Sequence, residues 1–340
     1  MADGCRVVFT GPGSAETEPF AIPEPGEQQA LVRSECSLIS AGTELTSLLG
    51  QLPVHRGYPV YPGYSNVGVV EAVGHGVERP RVGQRVLSMA AHASHHLLEL
   101  DPNRPGGPSY WESVPDSIRP EEATFAVLGS VALHGVRKAA LQVGEAVAVF
   151  GQGVVGQLTT QLALRSGCHP LVALDLLDER LERAGQSGAD VLVNPNKRDA
   201  VEAIVVATAG HGADALFEAT RSGTALPAML RAAAHHARLL IVGSIPDRIE
   251  IDPFTDLQLK ELQIIGCFQP AAPLYGHPYF PWTQALNRRV FLGMVERGEV
   301  KVQHLITHRV PFHAAQKAYT LVAKGRSGWL GIVIDWESGL

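Results

Sequence analysis

The most constraining stretch of this chain is Ala146-Val-Ala-Val-Phe-Gly-Gln-Gly-Val-Val-Gly156. Ala146 to Phe150 is a short, Val-rich apolar run and reads as a buried parallel strand. Gly151, Gln152, Gly153, Val154, Val155 and Gly156 then spell G-x-G-x-x-G, and Leu158 to Arg165 continues at helical spacing until Gly167. The first Gly permits a tight turn, the second lets backbone approach a pyrophosphate, and the third lets helix pack on strand. Free N–H groups at the helix start face the anion. A second buried strand, Leu171-Val-Ala-Leu, ends on Asp175. A carboxylate there can accept hydrogen bonds from both ribose hydroxyls and repels a 2′-phosphate. G-x-G-x-x-G alone is weak in a chain with 35 Gly, but strand, helix and acid together supply its context. The expectation is a dinucleotide site that takes NAD. Arg180 reads two ways, as a side chain reaching back to the adenosine ribose or as a solvated helix charge pairing with Glu179 or Glu182.

A chain of 340 residues predicts two domains. With 45% hydrophobic and 18% charged residues it reads as soluble and globular, and a net charge of −6 offers no electrostatic reason for a nucleic-acid or anionic-membrane partner. Cys5, Cys36, Cys168 and Cys267 are far apart and lack metal-type spacing, as in reduced cytoplasmic proteins. No basic-then-apolar signal pattern and no membrane-length apolar run is present.

Along the chain, residues 6–9, 28–39, Val67–Val73 and the segment from Val82 read as strands. Pro12, Pro19, Pro23 and Pro25 mark the intervening segment as loop. Many short strands with Gly and Pro turns suggest a β-barrel-like domain over roughly the first 115 residues. From about Glu121, helical stretches alternate with the strands Ala146–Phe150, Leu171–Asp175, Val191–Val193, Ala215–Glu218, Leu239–Gly243 and Leu262–Gly266. That alternation predicts a parallel sheet with helices on both faces. An aromatic, Pro-rich loop (Gln269 to Trp282), a helix around Arg288 to Arg297 and a final strand Leu330–Ile334 follow.

Taken with Pro62-Gly-Tyr-Ser-Asn-Val-Gly-Val-Val, Val82-Gly-Gln-Arg-Val, Gly188-Ala-Asp and Leu305-Ile-Thr-His-Arg-Val-Pro-Phe, the chain resembles the medium-chain dehydrogenase/reductase superfamily over nearly its whole length. The resemblance implies an α/β fold in which a Rossmann doubly wound parallel sheet is inserted in a GroES-like β-barrel catalytic domain. The expected division is 1–117 and 268–340 for the catalytic domain and 118–267 for the NAD-binding domain. Zinc-dependent members carry Cys in I-C-G-[ST]-D, His in P-G-H-E, and a third ligand before the Rossmann domain. Here those segments read Ile39-Ser-Ala-Gly-Thr-Glu44 and Pro62-Gly-Tyr-Ser65, and the third position falls near Ala126 or Val127. Zinc needs three such ligands plus an open position, and the expectation is a member with no metal. The four-Cys lobe is also missing from residues 95–112. His92, His95 and His96 read as surface or cleft histidines on a strand rather than a metal cluster. Ser40-Ala-Gly-Thr-Glu44 is similar to the bacteriochlorophyllide hydroxyethyl dehydrogenase-like subgroup, and Leu133-His134-Gly-Val-Arg137 to a polyol dehydrogenase helix.

Removing hydride from a secondary alcohol also requires a proton to be taken and an alkoxide stabilised. By resemblance, Thr43 sits where the superfamily keeps a proton-relaying hydroxyl; its alternative is a helix N-cap. Tyr64 takes the vacated His position, either to donate to the substrate oxygen or act as base, or to fill the volume left by zinc. Ser40 is a further hydroxyl candidate, and His134 is either an acid/base or a packed or cofactor-side residue. Ala219 and Thr220, at the end of the fourth strand, correspond to contacts of the nicotinamide ribose. Val242, Gly243 and Ser244, at the end of the fifth, correspond to contacts of the carboxamide. Gln269, Tyr275, His277, Tyr279 and Trp282 are expected to border the substrate, suiting a sugar or cyclitol, or else to be subunit contacts. The implied activity is zinc-independent, NAD-dependent alcohol/polyol oxidation. The alternatives are a quinone or enone reductase, against which Asp175 speaks, and a catalytically degenerate NAD-binding sensor. A homodimer or tetramer is expected, through pairing of the apolar edge strand Glu261–Cys267.

Overall fold

The computed structural model describes residues 3–52, 57–101 and 110–337. The chain divides into two compact units, one of Met1–Val127, Arg288–Gly298 and Val302–Leu340, the other of Leu128–Asn287 with Glu299–Lys301. The first division falls at 127 rather than 117. The aromatic loop after 267 clusters with the second unit up to Asn287.

The first unit opens with a two-stranded antiparallel ribbon, β1 (Asp3–Gly11) and β2 (Ser14–Ala21). The Pro-rich segment expected as loop therefore contains a strand. Pro19 is accommodated because β2 pairs with β1 alone, and an edge strand loses no ladder bond to a missing N–H. Next come β3 (Gln29–Leu38), α1 (Ala41–Leu48), β4 (Asn66–Val73), β5 (Arg85–Ser88), β6 (His95–Glu99) and β7 (Trp111–Ser113). Helices α2 (Pro120–Ala123) and α3 (Ala126–Ala139) lead into the second unit.

There β8 (Val147–Phe150), α4 (Val154–Arg165), β9 (Leu171–Leu174), α5 (Asp178–Gln186), β10 (Val191–Val193) and α6 (Ala200–Ala207) alternate. They continue as β11 (Ala213–Glu218), α7 (Leu226–Ala232), β12 (Ala233–Ile241) and β13 (Gln263–Gly266), and α8 (Gln284–Glu296) begins here and belongs to the first unit from Arg288 on. All six strands run parallel in the order β10-β9-β8-β11-β12-β13. The order reverses between β8 and β11, the switch point at whose carboxyl edge doubly wound sheets take ligands. Every residue of β8 and β9 is buried, as unbroken apolar runs require in a sheet covered on both faces. Val172, Leu174, Leu216 and Leu239 belong to the core beneath.

The chain then returns through β14 (Ile306–Pro311), α9 (Ala315–Lys324) and β15 (Gly331–Asp335). Strand β15 pairs with β3, completing the sheet β14-β15-β3-β4-β5-β7, while β6 also pairs with β3. Phe9, Ile39, Tyr319 and Trp336 join one core in this unit.

Candidate functional site

In the second unit the glycine motif occupies the turn from β8 into α4. Gly151 has φ +89°, and a Cβ on it would lie 2.8 Å from the Ala219 carbonyl carbon. A Cβ on Gly156 would run into the Gly151 carbonyl oxygen. These two glycines are required by the protein's own backbone. Gly153 is different: nothing lies within 4 Å of where its Cβ would be, so its missing side chain leaves room for something else. Gly153 is also the N-cap of α4 and supplies no side-chain cap, so the helix start keeps N–H groups for an anion. Val154 and Val155 form the first turn. This geometry fits a dinucleotide pyrophosphate.

Asp175 follows β9. Its Oδ2 accepts the Gln152 N–H at 2.7 Å and its Oδ1 the Leu177 N–H at 2.9 Å. Each carboxylate oxygen keeps a lone pair for a ribose hydroxyl. Arg180 is buried, not a solvated helix charge, and its Nη1 lies 4.0 Å from Asp175 Oδ2. At the end of β11, Glu218 is fully buried. Its Oε1 accepts from Thr220 N–H (2.6 Å), Thr220 Oγ1 (2.5 Å) and Arg221 N–H (2.9 Å). Its carbonyl accepts the N–H groups of Val242 and Gly243, so one residue ties together the Ala219–Thr220 and Val242–Ser244 rims. Burial pushes the Glu218 carboxyl up, and its Oε2 has no hydrogen-bond partner.

In the first unit Ser40 is the N-cap of α1, and Thr43 lies inside the helix, exposed. The expected alternative of Thr43 as N-cap is thereby corrected. The Tyr64 hydroxyl donates to Ser40 Oγ and stands 3.4 Å from Thr43 Oγ1. Three hydroxyls therefore meet where the resemblance had placed two metal ligands. Beneath them lies a buried carboxylate: Glu44 Oε1 accepts the Ser40 N–H at 2.7 Å, and Oε2 accepts the Tyr319 hydroxyl at 2.5 Å and His92 Nε2–H at 3.1 Å. Trp336 Nε1–H donates to Ser37 Oγ (2.9 Å), leaving the Ser37 hydroxyl to donate to His92 Nδ1 (2.8 Å). Burial and the adjacent Glu44 push the Tyr319 hydroxyl well above its ordinary pKa.

The three histidines expected at a surface or cleft are engaged in the interior. His92 and His95 are buried, His95 beside Ser94 and Glu71, and His96 Nε2 is 2.8 Å from Ser88 Oγ. His95 and His96 lie on β6, which pairs with β3, whereas His92 precedes that strand and is held by Ser37 and Glu44. Desolvation lowers the His96 imidazole to about 3. Among the described residues no group of three or more His, Cys, Asp and Glu stands together to hold a metal ion. The Cys36 thiol is pushed well above its usual range by burial, away from the thiolate a metal binds. This donor set does not fit zinc.

On α3, His134 is buried, its ring packs edge-to-face on Phe280 (5.9 Å), and its pKa is lowered by burial and by Lys138 and Arg137. Gln269 is buried, whereas His277, Tyr275 and Tyr279 are exposed and Trp282 lies under Arg137. His134 and this loop belong to the second unit, and Thr43, Tyr64 and Ser40 to the first. The sequence carries a local signal for Glu44, an acid four residues after a helix N-cap, but none for Tyr319, which reaches it across 275 positions.

Residues 26–104 match the family described as alcohol dehydrogenase GroES-like domain, and residues 154–281 the family described as zinc-binding dehydrogenase. An alcohol dehydrogenase of Geobacillus stearothermophilus is 32% identical over 248 residues, 66% of this chain and 72% of the relative. The (R,R)-butanediol dehydrogenase of Bacillus subtilis is 28% identical over 311 residues, 81% of this chain and 88% of the relative. A solved putative zinc-binding dehydrogenase from Sinorhizobium meliloti 1021, bound to NADP, shares the fold with a TM-score of 0.83 at 23% identity, covering 99% of this chain and 100% of that one. The chain belongs to the medium-chain dehydrogenase/reductase superfamily, as an oxidoreductase of the alcohol/polyol dehydrogenase kind.

Proposed function

We propose that the protein is a zinc-independent, NAD-dependent dehydrogenase of a secondary alcohol, of sugar or cyclitol type. The observation that carries this reading is the meeting of the Tyr64, Ser40 and Thr43 hydroxyls, with no metal donor set among the described residues. NAD⁺, held at the glycine turn and Asp175, would supply the acceptor for the hydride that leaves the carbinol carbon. The chain's own task is the remaining proton and the negative charge left on oxygen. Thr43, exposed on α1, takes the alcohol proton as it passes its own hydroxyl proton to Tyr64, Tyr64 passes its proton to Ser40, and Ser40 releases one to solvent water, so that each hydroxyl ends neutral. Glu44 holds the Ser40 backbone in place from beneath. Asp175, with both oxygens already oriented by backbone N–H groups, selects NAD over NADP. The exposed edge of β13 pairs with a second copy of the chain to give a dimer.

Tyr64→Phe tests the relay. The expected result is a fall in kcat of roughly 10²–10⁴-fold with KM little changed, the range of a lost proton-transfer group. An unchanged kcat removes Tyr64 from the chemistry.

A further inference from the structure

Among the described residues of the second unit, three buried polar nitrogens near Arg137 in the chain or bonded network have no hydrogen-bond partner: His134 Nδ1, Asn287 Nδ2 and Gln269 Nε2. Arg137 on α3 is half-buried and donates through Nη1 to Asn287 Oδ1, and its guanidinium lies 3.8 Å over the Trp282 ring. Among the described residues no carboxylate pairs with it, and burial alone pushes it down to about 10. Asn287 is fully buried; its oxygen accepts from Arg137, and its Nδ2 has no partner. One turn before Arg137, His134 is buried with Nδ1 unpartnered. Gln269, also buried, leaves its Nε2 without an acceptor. One turn before Asn287, Gln284 Nε2 donates to the carbonyls of Pro270 (2.9 Å) and Ala272 (3.1 Å), tying the Gln269 turn to the start of α8. The charges shaping His134 are Lys138 and Arg137, both cationic.

Proteins rarely bury unpartnered polar groups, and the half-buried Arg137 guanidinium carries a charge that no carboxylate among the described residues neutralises. The missing element is an oxyanion, whose lone pairs satisfy a guanidinium and amide N–H groups together. We infer that Arg137, with His134, Asn287 and Gln269, forms a recognition site for a carboxylate or phosphate group. This names the substrate class as an anionic hydroxy compound. That assignment rests on the dehydrogenase reading; the anion site does not.

The test is calorimetric titration of inorganic phosphate, and separately of acetate, into protein saturated with NAD⁺, so that the pyrophosphate turn is filled. Wild-type protein is expected to bind at least one of the two anions, and which one binds separates a phosphate from a carboxylate substrate. Arg137→Gln is expected to weaken binding at least tenfold, with NAD⁺ affinity unchanged. Asn287→Asp, which places an internal carboxylate against Arg137, is expected to abolish anion binding while the protein stays folded, and decides the matter if Arg137→Gln does not fold. Absence of binding to wild type, or equal binding by wild type and Asn287→Asp, overturns the inference. Arg137-dependent anion binding in a protein that oxidises no alcohol keeps the site and rejects the dehydrogenase reading. Turnover of neutral alcohols without anion binding does the reverse.

Discussion

At the scale of residues, the hydroxyl group formed by Tyr64, Ser40 and Thr43 depends on a carboxylate that touches none of those side-chain oxygens directly. Glu44 accepts from Ser40 N–H, Tyr319 and His92, all donors. Glu44→Gln turns an amide towards groups that need an acceptor, and is expected to destabilise the protein by about 1–3 kcal/mol, read as a lower midpoint in urea. His96 makes a pH prediction. Its folded pKa, about 3, lies below the ordinary 6.5, so the folded state disfavours its proton. Its contribution is present above pH 6.5 and is lost as pH falls towards 3. Urea midpoints measured across that interval are expected to fall less steeply for His96→Gln than for the wild type. The motif residues were legible because their spacing is local: Gly151, Gly153, Gly156 and Asp175 all stand where the sequence places them, around one βα turn and the strand beside it. The buried roles of His92 and Tyr319 were not, because they arise from contacts of His92 with Ser37 and Glu44 and from packing of α9, contacts between residues remote in sequence.

At the scale of elements, the turn between β8 and α4 separates glycines that the backbone itself requires from one whose missing side chain faces open space. Gly156→Ala collides with the Gly151 carbonyl and is expected to lower the melting temperature sharply. Gly153→Ala meets nothing of the protein's own. It is expected to leave the melting temperature unchanged in the absence of cofactor and to weaken NAD⁺ at least tenfold by titration, a loss of about 1.4 kcal/mol. Equal NAD⁺ affinity in wild type and Gly153→Ala sinks the assignment of that open space to the pyrophosphate. The unbroken apolar runs of β8 and β9 were readable as buried strands, since both sheet faces are covered. Strand β2 was hidden by Pro19, whose meaning depends on the strand lying at an edge, a fact of topology rather than of composition.

At the scale of the whole molecule, the alternation of strand and helix predicted the parallel sheet, and its order is that of a doubly wound dinucleotide fold. The return of the chain to the first domain after Leu330 was expected from the order of elements, but its pairing partner β3 was not, because a strand's partner is not written in its own residues. In β13, Ile264 is exposed at the open edge of the six-stranded sheet. Ile264→Lys is expected to shift light scattering from a dimer to a monomer, whose mass is 36.3 kDa. A wild type that scatters as a monomer contradicts the proposed pairing. The central claim, alcohol oxidation by side-chain hydroxyls without a metal, has one direct measurement: reduced-nicotinamide absorbance with NAD⁺ and a panel of polyols, cyclitols and simple secondary alcohols, with a strong chelator present throughout. Turnover that persists in chelator and falls in Thr43→Ala is the result this account predicts. Turnover that chelator abolishes and zinc restores contradicts it.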